Sequence, residues 1–367
     1  MGLFRRKHNG ILSDGYIWVM MAGLLYYFGR LTINDAHLLE KIYPAGINRY
    51  IIKFLSNLTG IFPFSVGEFF LYFHVVLAAI LIITLIRRIF EGGFFALLYR
   101  IISYAALLYV VFMLVFGLNY NRASVRETLG LTETYYGESE LVSMNKALIE
   151  KANSLRSEVV ENGKGVFIYE GSSNSIIGNA HEGYDKLSQD FPVFKGEYGS
   201  AKGILMSEPM NYTGITGVFM PYTGEANVNV KGPDLLFPAT VLHEMAHQRG
   251  IAFEDEANYM AYLTSSYHSD ADVRYSGTIL ALMNGMNALY KENKDLHVKL
   301  YATYSEGVKR DLAAYNEFYK PYEGEAEKAA TKLNDTYLKG NGQISGVKSY
   351  GEMVDLLLEQ FMQKGSI

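Results

Sequence analysis

Cysteine is absent from the 367-residue chain. That excludes disulfides, thiolate metal ligands and cysteine nucleophiles together, so any bound metal must use His, Asp or Glu. An excess of positive charge is also missing, since 33 Lys and Arg stand against 38 Asp and Glu. Past Leu118 the imbalance deepens to 23 against 33, a net charge of −10, which makes nucleic acid an unsuitable partner. No internal repeat is found. What the chain does have is apolar sequence, 49% of its residues, concentrated before Leu118, with most of the Glu, Asn and Lys after it. A chain of this length and composition can bury a full core and form more than one structural unit, and its two halves call for two different solvents.

Three segments in the first part read as membrane spans: about Tyr16 to Leu31, Val66 to Ile86, and Phe94 to Leu118. Each is near the roughly 20 residues that a bilayer requires. A buried core helix is the other reading of each, but three such segments before residue 119 argue against it. Arg5, Arg6 and Lys7 ahead of the first run also fit a signal peptide, yet no small-x-small site ends it, and a retained span is expected. Arg100 falls inside the third segment, or at its inner edge if the span starts there. With Arg87 and Arg88 between the second and third segments, the basic residues place both of those regions in the cytoplasm and the polar remainder outside. The loop Asn34 to Phe64 carries Lys41, Arg49 and Lys53 on the outer side. Its residues Ile47, Tyr50, Ile51, Phe54 and Leu55 recur at helical spacing and fit a helix lying in the interface. The expected division is a membrane domain over 1–118 and an extracytoplasmic domain over 119–367.

The outer domain reads as mixed α and β. Gly137 to Glu161 fits an amphipathic helix, with Leu141, Met144, Leu148, Leu155 and Val159 on one face. Short apolar runs at 165–169, 203–206 and 216–222 read as strands. After Glu254 the pattern is helical, with breaks near Asp270, Asn293, Pro321 and Gly340, a loop over 340–346, and a last helix from Tyr350 to Gln363. Pro238 suits the first turn of a helix and Gly250 its stop, which predicts a short helix over Ala239 to Arg249. That helix carries His243-Glu244-Met245-Ala246-His247. Two imidazoles four residues apart project from one face and can share a Zn²⁺, with Glu244 beside them as a general base toward water.

A catalytic zinc needs a third protein ligand. Glu254, Asp255 and Glu256 follow the Gly250 turn and open a second helix, where the helix dipole alone would also favour acidic residues. His243-Glu-Met-Ala-His247 followed by Glu254-Asp-Glu-Ala-Asn258 resembles the gluzincin branch of the zincin metallopeptidases. The resemblance implies Glu254 as third ligand, Glu256 as reserve, and Asn258 as a group that holds a ligand histidine. The interval between His247 and Glu254 is shorter than in thermolysin-like enzymes. His247-Gln-Arg-Gly250 is similar to the metzincin turn, but Phe253 stands where that branch has its third histidine.

Leu118-Asn-Tyr-Asn-Arg122, Pro221-Tyr-Thr-Gly-Glu-Ala-Asn227, the stretch from His243 to Leu263, and Tyr350-Gly-Glu-Met-Val-Asp-Leu-Leu357 together resemble the DUF3810 family of bacterial membrane proteins. The resemblance implies amino-terminal spans followed by a zincin-like domain. The expected fold is therefore α+β, a helix-rich zincin-like metallopeptidase domain preceded by about three transmembrane helices in the bacterial cell membrane. The expected partners are the lipid bilayer and a peptide or protein substrate. The expected function is peptide-bond hydrolysis with zinc held by His243, His247 and Glu254, and Glu244 as general base. The rival is a membrane scaffold or pseudo-enzyme that uses the metal for stability. A site-2-type intramembrane protease is disfavoured, because Gln248, Arg249, Glu254, Asp255 and Glu256 follow too closely for lipid. The run near Gly217 to Tyr222 fits either a core strand or an edge that pairs with an extended peptide. An oxyanion donor is also expected. Tyr267, His268, Arg274 and Tyr275 lie downstream, but each is read as packing and none is assigned, while His74, His181 and His297 are read as histidines without ligand spacing. Glu225 and Asn227 are placed at a cleft wall or a turn cap.

Overall fold

A computed structural model describes residues 15–33, 35–169 and 171–367. Arg5, Arg6 and Lys7, on which part of the orientation argument rests, lie outside the described residues. The chain divides into two compact units, Met1–Asn48 with Gly67–Arg122, and Arg49–Val66 with Ala123–Ile367. The second unit thus takes in 49–66, a stretch that a simple division at Leu118 would assign to the first.

The first unit contains α1 (Gly15–Thr32), α2 (Ala36–Ile42), the start of α3 (Ala45–Thr59), α4 (Val66–Glu91) and α5 (Phe94–Val115). Two of these, α4 and α5, are long and apolar enough to cross a membrane. α1 packs on α5, and a Cβ on Gly15 would lie 2.2 Å from Ser103 Oγ, so that approach requires glycine. Arg100 sits two turns inside α5 rather than at its start. The Leu118–Arg122 segment knots this unit together. Asn121 Nδ2 donates to Gly29 O at 2.7 Å and Thr32 Oγ1 at 2.9 Å, and Asn119 Nδ2 to Asn48 Oδ1 at 3.1 Å. Arg122 pairs with Glu40. Asn48 Nδ2 in turn caps the end of α5 by donating to Leu114 O and Val115 O at 3.0 and 2.7 Å, satisfying carbonyls that a helix terminus leaves free.

The second unit continues α3 and adds α6 (Val125–Leu129), α7 (Glu138–Arg156), α8 (Ser173–Asn179), α9 (His181–Asp190) and α10 (Ser207–Met210). α11 (Phe237–Gln248), α12 (Glu254–Ser266), α13 (Ala271–Glu292), α14 (Lys294–Tyr301), α15 (Glu306–Tyr319), α16 (Glu325–Gly340) and α17 (Met353–Lys364) follow. One small sheet, of order β1-β3-β2, is formed by β1 (Lys202–Gly203), β2 (Gly217–Met220) and β3 (Glu225–Val228). β1 runs parallel to β3 and β2 antiparallel to it, with Gly217 opposite Val228. The architecture is helix-rich with a small sheet. Of the three expected strands, 216–222 contains β2, 203–206 overlaps only the end of β1, and 165–169 is reduced to an isolated bridge between Glu161 and Phe167.

The core of this unit is built by α7, α11, α12, α13 and α17 around Leu148, Leu242, Met260, Leu282 and Leu357, all fully buried. α7 turns Leu141, Met144, Leu148 and Leu155 inward as their spacing requires, but ends at Arg156, leaving Val159 outside the helix. Its last residue ties the helix end to the core. Arg156 Nε donates to the buried Asp311 Oδ2 at 2.6 Å, while Tyr275 OH and Phe167 N–H donate to the same carboxylate at 2.7 Å each. A buried ion pair persists only when its remaining lone pairs are satisfied in this way.

Candidate metal centre

α11 begins at Phe237 with Pro238 in its first turn and runs to Gln248. Ser276 Oγ accepts from Ala239 N–H at 3.1 Å, supplying one of the partners that the helix start lacks. At the other end, Gly250 N–H donates to His247 O at 3.0 Å and Ile251 N–H to Ala246 O at 3.2 Å, with Gly250 at φ +90°. This is a Schellman stop, and its left-handed residue must be glycine. It carries the chain back so that Ile251 O meets His247 Nδ1 at 2.7 Å. A neutral imidazole whose Nδ1–H is held by a carbonyl turns its Nε2 lone pair to a metal.

The turn also starts α12 at Glu254, whose carboxylate reaches the histidine pair. His243 Nε2 lies 3.1 Å from Glu254 Oε2, His247 Nε2 lies 3.5 Å from the same oxygen, and the two Nε2 atoms are 3.2 Å apart. Ligands at about 2.0–2.1 Å from a tetrahedral zinc are about 3.3–3.4 Å from one another, and the observed separations fall on either side of that value. All three residues are buried. His243, His247 and Glu254 therefore form a group that could hold a metal ion. Glu256, two residues on, points elsewhere and accepts Val125 N–H at 2.8 Å. Asn258 is buried one turn along α12 from Glu254.

Electrostatics follow from burial and proximity. Burial raises the Glu254 carboxyl, but His247 and His243 beside it more than reverse this and hold it well below the usual carboxylate range. Burial lowers the His247 imidazole and Glu254 outweighs that, lifting it to about 9. Glu244 is pushed up to about 7 by burial, against the pull of both histidines. Its Oε2 is buried without a hydrogen-bond partner, and its Oε1 lies where a Cβ on Gly217 would come within 2.4 Å. β2 thus passes directly over Glu244, and only a glycine leaves room for the carboxylate. Phe219, on the same strand, has its ring 6.4 Å from that of His247.

Three supports of this arrangement have weak sequence signals. Gln248 Nε2 donates to Gly199 O and Gly224 O, both at 3.0 Å, fixing the end of α11 to the loops flanking β1 and β3. Gln343, inside the 340–346 loop, accepts Glu254 N–H at 3.3 Å and donates to Asp255 Oδ1 at 2.8 Å. The Arg249 guanidinium lies 3.8 Å from the centre of the Tyr184 ring and 4.7 Å from that of Tyr198 and donates to Met245 O. Nothing local marks Gln248 or Gln343. Gly217 does carry a signal, because a glycine at the start of a short strand often marks a close backbone approach.

The other residues weighed from sequence go elsewhere. Tyr267 OH donates to Asp190, His268 Nε2 meets Asn179 O, Arg274 pairs with Glu158, and Tyr275 serves Asp311. His181 Nδ1 meets Gly178 O, and His74 Nε2 meets Tyr104 OH. His297 stacks near Tyr301. Glu225 and Asn227 are residues of β3. Glu225 is paired with Lys202, and Asn227 Nδ2 donates to Glu225 O and Val218 O.

Fold and site together define a helix-rich protein with two helices capable of crossing a membrane and a buried two-histidine, one-carboxylate group fit for a metal ion. The chain belongs to the family described as protein of unknown function (DUF3810), whose model matches residues 43–358. No curated protein and no solved structure matches it.

Proposed function

We propose that the protein is a membrane-anchored, zinc-dependent metallopeptidase of gluzincin-like type, with His243, His247 and Glu254 as metal ligands. The observation that carries this reading is Glu244, buried beside the two histidines with one carboxylate oxygen unpartnered. A carboxylate so placed can take a proton from a water molecule at the site and return it. A zinc ion held by the three ligands would supply Lewis-acid polarisation of water and of the scissile carbonyl. Glu244 accepts the proton of the attacking water and passes it to the leaving amine. β2 is an edge strand of the sheet, suited to pairing with an extended peptide above Glu244. Asn258 fits a role in holding a ligand imidazole.

The membrane part of the proposal is three spans, α1, α4 and α5, with the second unit outside the cytoplasm. α4 and α5 have the length and composition for it; α1, at 18 residues, has the minimum length but is less apolar than a clear span. Arg87 and Arg88 lie at the end of α4, which this topology puts in the cytoplasm. A reporter fused after Leu118 is expected to be active only outside the cytoplasm; a cytoplasmic signal reverses the orientation.

The test of the activity uses the full chain in lipid nanodiscs with a peptide library. The expected result is zinc bound one to one and cleavage that chelator abolishes. Glu244→Gln should keep the zinc and lower the rate about 10²–10⁴-fold. Bound zinc with no cleavage above the Glu244→Gln level would favour the scaffold reading. Glu254→Ala should lose the metal while Glu256→Ala keeps it, and the opposite pair of results would move the third ligand.

A further inference from the structure

One apolar surface of the second unit has no partner among the described residues. Along α3 and the turn after it, Tyr50, Phe54, Leu58 and Ile61 follow one another at helical spacing and are 74, 61, 49 and 75% exposed. Contiguous exposed apolar side chains of this size on one helix face mark an interaction site. The opposite face of the same helix is fastened to the domain. Ile52, Ser56 and Thr59 are buried, Ser56 Oγ accepts Gly199 N–H at 3.1 Å, and Thr59 Oγ1 donates to Thr223 O at 3.1 Å. Gly199 and Gly224 make the contact possible. A Cβ on Gly199 would lie 2.2 Å from Ser56 O, and one on Gly224, at φ +68°, would lie 2.9 Å from Ile52 O.

What covers the free face is indicated by the chain that leaves it. Only residues 60–65 separate α3 from Val66, the first residue of the apolar α4. Six residues span at most about 20 Å, and Ile61, Phe62 and Phe64 within them are exposed apolar residues, with the buried Ser65 directly before α4. This turn is not free to swing. Lys202 Nζ donates to Thr59 O, Phe62 O and Phe64 O at 2.6, 2.8 and 3.0 Å and pairs with Glu225 Oε1 at 2.9 Å. The same Glu225 oxygen accepts Val66 N–H at 3.2 Å. Val66 is thus held to β3.

We infer that the outward face of α3, formed by Tyr50, Phe54 and Leu58 with Ile61 beyond it, is seated in the lipid interface, and that it holds the metal-bearing unit against the bilayer surface. Helices with one apolar aromatic-rich face settle at the boundary between headgroups and acyl chains, where Tyr and Phe are favoured. The inference rests on reading α4 as a span.

Because the chain has no cysteine, a single introduced thiol is a unique labelling site. Tyr50→Cys, Phe54→Cys and Leu58→Cys are placed in the full chain, labelled with bimane and reconstituted into phosphatidylcholine–phosphatidylglycerol vesicles. Ile80→Cys in α4 and Lys328→Cys in α16 are the references. The three α3 labels are expected to lose most of their emission to phosphatidylcholine doxyl-labelled near the headgroup and little to aqueous iodide. Ile80→Cys should respond to a deep doxyl group, and Lys328→Cys to iodide alone. If the α3 labels follow Lys328→Cys while Ile80→Cys is lipid-quenched, the span stands and the seat on lipid is overturned. Shielding of the α3 labels from both quenchers overturns it in favour of a protein partner or a second copy. Iodide access at Ile80→Cys removes the span and the seat together.

Discussion

Glu244 is positioned by an absence of atoms. Its carboxylate occupies the space that any side chain at Gly217 would fill, and no described hydrogen bond restrains Oε2. Gly217→Ala should therefore displace either Glu244 or the backbone of β2 while leaving His243, His247 and Glu254 intact. A shift of about 1 Å in a reacting group can lower a rate about a hundredfold. The expected outcome is a loss of that order in peptide cleavage with zinc content unchanged, measured on the same preparation. Loss of zinc in Gly217→Ala would show instead that β2 supports the ligands themselves. At this scale much was legible in advance. The spacing of His243 and His247 sets their shared face, and Gly250 announces the turn that returns the chain to Glu254. The choice among Glu254, Asp255 and Glu256 was not legible from helix geometry alone, because it depends on where Val125 N–H lies, 131 residues earlier in the chain.

Each element around the site is held at its ends. α11 stops in a Schellman turn that the sequence signals through Gly250, and α13 and α14 begin at their side-chain caps Asp270 and Asn293, as the breaks in periodicity predict. The N-terminus of α12 has no capping side chain of its own and takes Gln343 from a loop far along the chain. Gln343→Ala leaves the buried Glu254 N–H and Asp255 Oδ1 without that partner, a cost of about 1–3 kcal/mol. The expected reading is a thermal midpoint lower by several degrees in full-length protein, with zinc still bound at saturation. An unchanged midpoint would mean that water replaces the amide at both contacts. β3 was not legible for a related reason. Glu225, Ala226, Asn227 and Val228 are all buried, so the alternation that betrays a half-exposed strand is missing, and their polar groups are satisfied by Lys202 and by backbone that sequence cannot place. The run at 165–169 misleads in the opposite sense. Phe167 is an apolar residue whose N–H goes to Asp311 rather than to a strand.

For the molecule as a whole, the ligand group joins α11 to α12, two helices at the centre of the second unit's core. A metal bound there stabilises the folded state by mass action, by about 2.7 kcal/mol when its free concentration is a hundred times its dissociation constant. Chelation of the full chain should therefore lower the melting temperature of the second unit by several degrees, reversibly on adding zinc. A midpoint indifferent to chelator, with the metal shown to be gone, would mean that the helices hold the donors together unaided. Hydropathy divides the chain near Leu118 and does not place residues 49–66, which join the second unit through close approaches at Gly199 and Gly224 that leave no pattern in α3 itself. Those two glycines also give up their carbonyls to Gln248, the neighbour of His247, so that a single amide side chain separates the seat of α3 from the ligand helix. If α3 rests on lipid and the site cleaves peptides, so short a mount would fix the height of the site above the bilayer and make that height a determinant of where a polypeptide is cut.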